Sequence, residues 1–228
     1  MAVITFQNPK GGSSKSTSAL ILASTLAQNG QRAAIIDSDR NAPLMRWAEG
    51  RSDPRLTVVQ AFDTDVMQAA TDLHADHDYV IIDTEGTANM TVSYALSVTD
   101  LAIMPISISQ LDVDQAGKAI GFLEAQGRVQ KRVIPYRLLF TKTSAAFQTK
   151  VEKAIRVDAA EDNVVYFETT IVTRQAYIEM FVKRATLWEL SEQDVSGIPR
   201  AIENATAFAR EVAGLCKSIT PDGSRIAA

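Results

Sequence analysis

The sequence predicts an α/β domain: a doubly wound, mostly parallel sheet with helices on both faces. Three observations carry this expectation. Short apolar runs, most of four to seven residues, alternate with helical patterns along the 228 residues. Continuous apolar runs suit strands buried on both faces, and strand–helix alternation suits a parallel sheet. A glycine-bearing loop, Asn8-Pro9-Lys10-Gly11-Gly12-Ser13-Ser14-Lys15-Ser16-Thr17, joins the first apolar run to the first helical one. Two further strand candidates end in aspartate, where ligands of such folds bind.

The strand candidates are Ala2–Phe6, Arg32–Ile36, Leu56–Gln60, Tyr79–Ile82, Leu101–Ile106, Val133–Phe140 and Val164–Phe167. Helices are expected between them. Thr17–Asn29 stops at Gly30, a good C-terminal stop. Thr64–Ala75 and a shorter helix at Met90–Ser97 follow. Asp112–Gln130 places Val113, Ala116, Ile120 and Leu123 on one face. Phe147–Ala159, Arg174–Arg184 and Ile198–Ile219 complete the set. One domain over residues 1–219 is expected, with a frayed tail at 220–228 that contains Pro221 and Gly223.

Composition narrows the class. Apolar content of 46% supports a packed core. The single cysteine, Cys216, can form no internal disulfide or cysteine metal cage, which fits a reducing cytoplasm. No signal peptide is visible, and no apolar run approaches the roughly 18–20 residues that span a bilayer. Net charge is −4. It is unevenly spread: residues 128–184 carry 11 Lys/Arg against 6 Asp/Glu, or +5, and the remainder carries 12 against 21, or −9. A basic face on an acidic protein is therefore possible, as are scattered solvated cations.

The loop at 8–17 reads as a phosphate cradle. Gly11 and Gly12 let backbone N–H groups converge on anionic oxygens, and the helix N-terminus adds partial positive charge. Gly11, Gly12, Ser13, Ser14, Lys15, Ser16 and Thr17 are the candidate nucleotide-binding residues. Lys15 would reach the β- and γ-phosphates of a nucleoside triphosphate, and the Ser16 hydroxyl would ligate Mg²⁺. The second strand ends in Asp37-Ser38-Asp39. Side-chain alternation puts both carboxylates on one side, so that one orients an attacking water and the other supports the metal shell; a plain polar turn is the competing reading. Tyr79-Val80-Ile81-Ile82-Asp83 is an apolar strand ending in a carboxylate aimed at the same metal, with Thr84–Thr87 as a loop sensing the γ-phosphate.

Lys10-Gly11-Gly12-Ser13-Ser14-Lys15-Ser16 departs from the general pattern G-x-x-x-x-G-K-[ST], since Pro9 and Ser14 replace its glycines and Lys10 is added. In this form, followed by Asp37-Ser38-Asp39 and Asp83, the chain resembles the ParA/MinD family of dimerising ATPases with a deviant Walker A loop. It looks most like the short plasmid partition members. The resemblance implies a P-loop NTPase fold, ATP and Mg²⁺ as ligands, and an ATP-bound homodimer in which Lys10 crosses to the partner's phosphates. It implies that Lys15 and Asp39 serve hydrolysis, with Asp39 positioning water, and that Asp37 and Asp83 serve the metal. Ser14 stands where relatives usually have glycine, so a tighter turn is expected.

Thr141, at the end of Leu138-Leu139-Phe140-Thr141-Lys142-Thr143, falls where the family holds adenine. Ile171-Val172-Thr173-Arg174 resembles its I-x-x-R segment. By that likeness Arg174, with Lys183 and Arg184, would touch DNA phosphates without reading sequence; alternatively Arg174 caps a helix or pairs with Glu179. The implied partners are non-specific DNA and a ParB-type centromere-binding adaptor, at the nucleoid in the cytoplasm and not at a membrane. The implied activity is a weak, partner-stimulated Mg-dependent ATPase for plasmid or chromosome partition. A VirC1- or MinD-like ATPase positioning a conjugation or other complex is the alternative.

Overall fold

The computed structural model describes residues 2–86, 90–145 and 148–219. Seven strands form one sheet: β1 (Ala2–Phe6), β2 (Ala33–Ser38), β3 (Leu56–Gln60), β4 (Tyr79–Thr84), β5 (Leu101–Ser107), β6 (Tyr136–Thr143) and β7 (Ile171–Val172). All pairings are parallel, in the order β3-β2-β4-β1-β5-β6-β7. The helices are α1 (Lys15–Gln28), α2 (Pro43–Ala48), α3 (Asp65–His74), α4 (Met90–Ser97), α5 (Gln110–Gln130), α6 (Lys150–Glu161), α7 (Gln175–Val182) and α8 (Ile198–Ser218). This is the expected doubly wound fold. No helix among the described residues is long and apolar enough to cross a membrane.

Strand alternation divides the core. Ala2, Ile4 and Phe6 face one side with Ala33, Ile35, Tyr79 and Ile81, against α1 and α8. Val3, Ile36, Val80 and Ile82 face the other, with α3 residues Val66 and Ala70. Phe140, Met104 and Leu123 build the second half of that far side with α5. The α1 segment Ser18–Ala27 is buried all round because it lies between sheet and α8. Its Ser24 and Thr25 hydroxyls can be buried because they donate to the Leu20 (2.7 Å) and Ile21 (2.6 Å) carbonyls.

The same alternation sets the chemistry. Asp83 continues the Tyr79–Ile81 side and Asp37 continues the Ala33–Ile35 side, so both carboxylates point beneath α1. Asp83 is in register with Phe6 on β1 and with Asp37 on β2.

Two expectations need correction. Val164–Phe167 is not a strand: it makes one isolated bridge, Tyr166 with Leu138. The next N–H groups, of Glu168 and Thr169, donate instead to the Glu211 carboxylate of α8 (2.8 and 2.9 Å), so the ladder lapses and resumes as β7. Helix α2 was not expected. The Asp37 carboxylate starts it by accepting from Leu44 N–H (2.8 Å) and Met45 N–H (2.9 Å), with Pro43 in the first turn. Trp47 of α2 packs against the core, and its indole N–H donates to the carbonyls of Met180 (3.0 Å) and Ala185 (3.3 Å) around the end of α7. Arg51 stacks on that indole and holds Glu189 through both carboxylate oxygens (2.9 and 2.8 Å). The expected tail at 220–228 and the start of the helix expected from Phe147 lie outside the described residues.

The α8 face depends on Phe208, fully buried and edge-on to Phe167 at 5.4 Å between ring centroids. Phe208→Ala is expected to cost about 3–5 kcal/mol, read as a lower urea midpoint at unchanged m-value.

Candidate functional site

At the carboxyl end of β1 the chain turns through residues 7–14 into α1. Asn8 anchors this loop: its side-chain amide donates to the Pro105 carbonyl and its Oδ1 accepts from Lys10 N–H (2.8 Å). Gly12 has φ 73° and Ser14 φ 71°. At Ser14 the left-handed conformation carries a Cβ and costs about 1–2 kcal/mol relative to right-handed backbone, so the tight turn expected from sequence is present. Gly86 lies against the loop from β4. A Cβ there would stand 3.2 Å from Gly11 N and 3.3 Å from Pro9 O, which explains the glycine.

Lys15 is buried, its Nζ donating to the carbonyls of Asn8 (3.1 Å) and Lys10 (3.3 Å). Burial holds its pKa below the ordinary lysine range, while the carboxylates of Asp83, Asp39 and Glu85 oppose that shift. Asp83 is fully buried, and neither carboxylate oxygen has a well-formed hydrogen bond. Burial pushes its pKa up to about 7. The Ser16 hydroxyl is near enough to pull it down without completing a bond of good geometry, and the Asp37 carboxylate adds to the rise. The Ser13 hydroxyl is likewise buried without a partner.

Such orphaned oxygens are costly unless something binds them. The Asp83 carboxylate and Ser16 hydroxyl are hard oxygen donors of the kind Mg²⁺ prefers when phosphate and water complete its shell. No cluster of three or more acidic, histidine or cysteine side chains suited to a metal occurs among the described residues. The donor set therefore fits an ion carried in with phosphate rather than one held by the protein alone.

Ser13, Lys15 and Ser16 belong to a cleft of about 580 Å³ lined by Pro9, by the loop residues Gly11–Thr17, by Asp39 and Asn41 after β2, by Glu85 and Gly86 after β4, and by Lys142. Lys10 alone between Pro9 and Thr17 is not part of that lining. Asp39 accepts from the Asn41 backbone (2.8 Å) and side chain (3.0 Å), which fixes its loop at the rim. Asp37, expected to support the metal shell, has a structural part as well. Its oxygens are committed to the N–H groups of Leu44, Met45 and Asp39, so it shapes the loop that carries Asp39.

Thr141 does not sit where a base could touch it. It is fully buried, and its hydroxyl donates to the carbonyls of Ser13 (3.3 Å) and Ile106 (3.2 Å), bracing the loop from behind. The exposed neighbour, Lys142, at φ 56°, donates to Gly12 O (2.8 Å). Beside it opens a recess of about 430 Å³ that shares Ser14, Thr17 and Lys142 with the cleft and is walled by Val172, Ile178 and Phe181.

The three residues expected to touch DNA stand in different settings. Arg174 lines this recess beside Tyr177 and has a buried Nε with no partner. Lys183 pairs with Asp194 (3.0 Å) and Arg184 with Glu49 (3.0 Å). Asp194 lies 11 residues after Lys183, whereas Glu49 comes from the segment after α2. Glu85 falls within the loop Thr84–Thr87 expected to sense the γ-phosphate, whereas sequence reasoning did not single out Asn41; its signal was position, just beyond the carboxyl end of β2.

The family model for the VirC1 protein matches residues 1–227. The chain belongs to the VirC1 family. Within the wider ParA/MinD group that the loop motif indicated, it is 28% identical to Protein ParA of Rhizobium radiobacter over 93% of this chain and 96% of that one. It is 33% identical to Protein virC1 of Rhizobium radiobacter over 51% of this chain and 53% of that one. Among solved structures, the MinD cell division protein of Aquifex aeolicus superposes with a TM-score of 0.71 at 17% identity, covering 94% of this chain and 98% of that one. Apo McdA of Cyanthece gives 0.72 at 14%, covering 90% and 99%. Both share the fold of this VirC1-family chain.

Because Asp83 ionises only at a cost in the folded, metal-free protein, its contribution should fall as pH rises from about 4, where the unfolded carboxyl ionises, to about 7. Asp83→Asn is expected to raise the melting temperature of metal-free protein at about pH 8 and to change it little near pH 4; an equal effect at both would contradict the origin assigned to the shift.

Proposed function

We propose that this VirC1-family chain is an ATP-dependent dimerising switch that hydrolyses ATP to ADP and phosphate and, in its ATP-bound dimer, holds DNA for partition. The observation that carries the reading is the buried Asp83 carboxylate, without a partner, set beneath a glycine loop beside Ser16 and Lys15. That combination suits a metal–triphosphate better than any neutral ligand.

In this reading the backbone N–H groups of Gly11–Thr17 and the start of α1 hold the phosphates. Lys15 leaves its two carbonyl partners to reach the β- and γ-oxygens. Ser16 and Asp83 hold Mg²⁺, which supplies charge neutralisation at those oxygens. Asp39, fixed by Asn41 at the rim, positions the water that attacks the γ-phosphorus as the bond to the β–γ bridging oxygen breaks. The apolar recess between Lys142 and α7 takes the base. Lys10, the lysine added to the loop motif, acts across the dimer interface on the partner's phosphates. Charge delivered there by a second subunit would make hydrolysis depend on assembly.

Partition of DNA, with a ParB-type adaptor stimulating hydrolysis, is favoured by the near full-length similarity to Protein ParA. Positioning of a conjugation complex by the same switch is the second reading, favoured by the match to the VirC1 family model. An ATP-dependent shift of non-specific duplex DNA separates them: the first reading requires it, and the second does not.

Lys15→Ala is expected to abolish nucleotide binding in calorimetry. Lys10→Ala should keep binding within about threefold while losing about 10²-fold or more in hydrolysis by the assembled protein. Full turnover in the Lys10 variant would reject the cross-subunit role. Asp39→Ala is expected to accumulate an ATP-bound dimer on size-exclusion chromatography, and elution only as monomer with ATP would remove Asp39 from the hydrolytic step.

A further inference from the structure

The end of the sheet opposite the phosphate cleft carries a larger hollow, of about 830 Å³, where α5 ends and β6 begins. Glycine makes its shape possible. A Cβ on Gly127 would stand 2.7 Å from the Arg132 carbonyl oxygen, so the chain can fold back this tightly only at a glycine. Arg132 N–H closes onto Gly127 O (3.0 Å), and Lys131 takes φ 55° at the reversal. The Arg132 side chain turns inward and donates to the carbonyls of Leu96 (2.6 Å) and Ser97 (3.2 Å). It is thereby a wall of the hollow and not a ligand-binding group.

The two halves of the hollow differ in chemistry. Its floor is apolar, formed by Leu123, Ile134, Pro135 and Val165. Val133 lies at its mouth, 71% exposed, and Val129 stands nearby on the helix, 78% exposed. Arg128, Lys131 and Arg137 rim the mouth against one carboxylate, Glu124. Arg128 and Lys131 enter no ion pair among the described residues. Exposed valines beside uncompensated cations leave both apolar surface and positive charge open to solvent.

Duplex DNA matches the rim but has nothing to fill the floor. A flat bilayer surface would meet the cations without entering a concave hollow. An acidic polypeptide with an apolar anchor satisfies both halves: carboxylates pair with guanidinium groups, and a leucine or aromatic side chain fills the floor. We infer that this hollow is a docking site for an acidic, apolar-anchored segment of a partner protein. The length of β6, about 25 Å, separates it from the phosphate cleft, so a partner can bind there without meeting the nucleotide. This inference does not rest on the nucleotide reading.

The test uses the full chain and a panel of fluorescein-labelled dodecapeptides rich in Glu and Asp, each with one Leu, Phe or Trp. They are titrated by fluorescence anisotropy at low salt beside copies with Ser at the apolar position and a labelled DNA duplex. At least one anchored peptide is expected to bind saturably, with its serine copy about tenfold weaker. Arg128→Glu/Arg137→Glu should weaken that peptide about tenfold, and Val133→Glu, an exposed change, should do the same without altering the melting temperature. ATP binding by the same variants reads the nucleotide site separately and is expected to be unchanged. Absence of binding by every panel member, equal binding of serine copies, or equal binding by the charge-reversed protein would overturn the proposal. So would loss of only the duplex in that variant, which would make the rim a nucleic-acid contact.

Discussion

A fully buried carboxylate and a buried ammonium, Asp83 and Lys15, act on one another electrostatically beside the glycine loop, and the surrounding strands hold them there. Neither group is comfortable alone. Burial disfavours the charge on each, and their mutual attraction offsets only part of that cost. The sheet tolerates the arrangement because β1 and β4 sit at its centre, with β5 and β2 outside them. A polyanion with its cation would relieve both groups: the cation would satisfy the carboxylate, and the anion would draw the ammonium from the carbonyls that hold it.

Parallel topology explains why these groups meet. Every strand delivers its following loop to the same edge, so segments far apart in sequence converge: residues 7–14 after β1, the Asp39 loop after β2, Glu85 after β4 and Lys142 at the end of β6. The opposite edge receives only the loops that enter strands. There the backbone can be shaped by other demands, and the Gly127 reversal with its basic rim is one result.

Much of this was legible in the sequence, for a physical reason. Asp37, Asp39 and Asp83 lie at a strand end or one residue past it, and Lys15 and Ser16 open the helix that follows the loop after β1, so local order and alternation were enough to bring them together. The fold was legible for the same reason, through continuous apolar runs. What was not legible depended on distant partners. Thr141 looked like a ligand contact until the carbonyls of Ser13 and Ile106 claimed its hydroxyl. The pairs of Lys183 with Asp194 and of Arg184 with Glu49 were not announced by the local charge pattern. The seventh strand was displaced because Glu211 takes the N–H groups that would have continued the ladder. Helix α2 was hidden because its start is set by a side chain, Asp37, that precedes it by several residues and stands where a metal ligand would be expected.

The tie made by Trp47 joins two parts of the molecule that the Arg184–Glu49 pair also links. Its ring belongs to the segment that Asp37 initiates, just after Asp39, yet its N–H is anchored to the end of α7, the helix that walls the recess beside Lys142. Arg51 clamps the ring from outside and grips Glu189 beyond. A shift of the Asp39 rim must therefore drag the recess wall or break the indole's bonds. The two ends of anything lying along this groove are mechanically geared to each other.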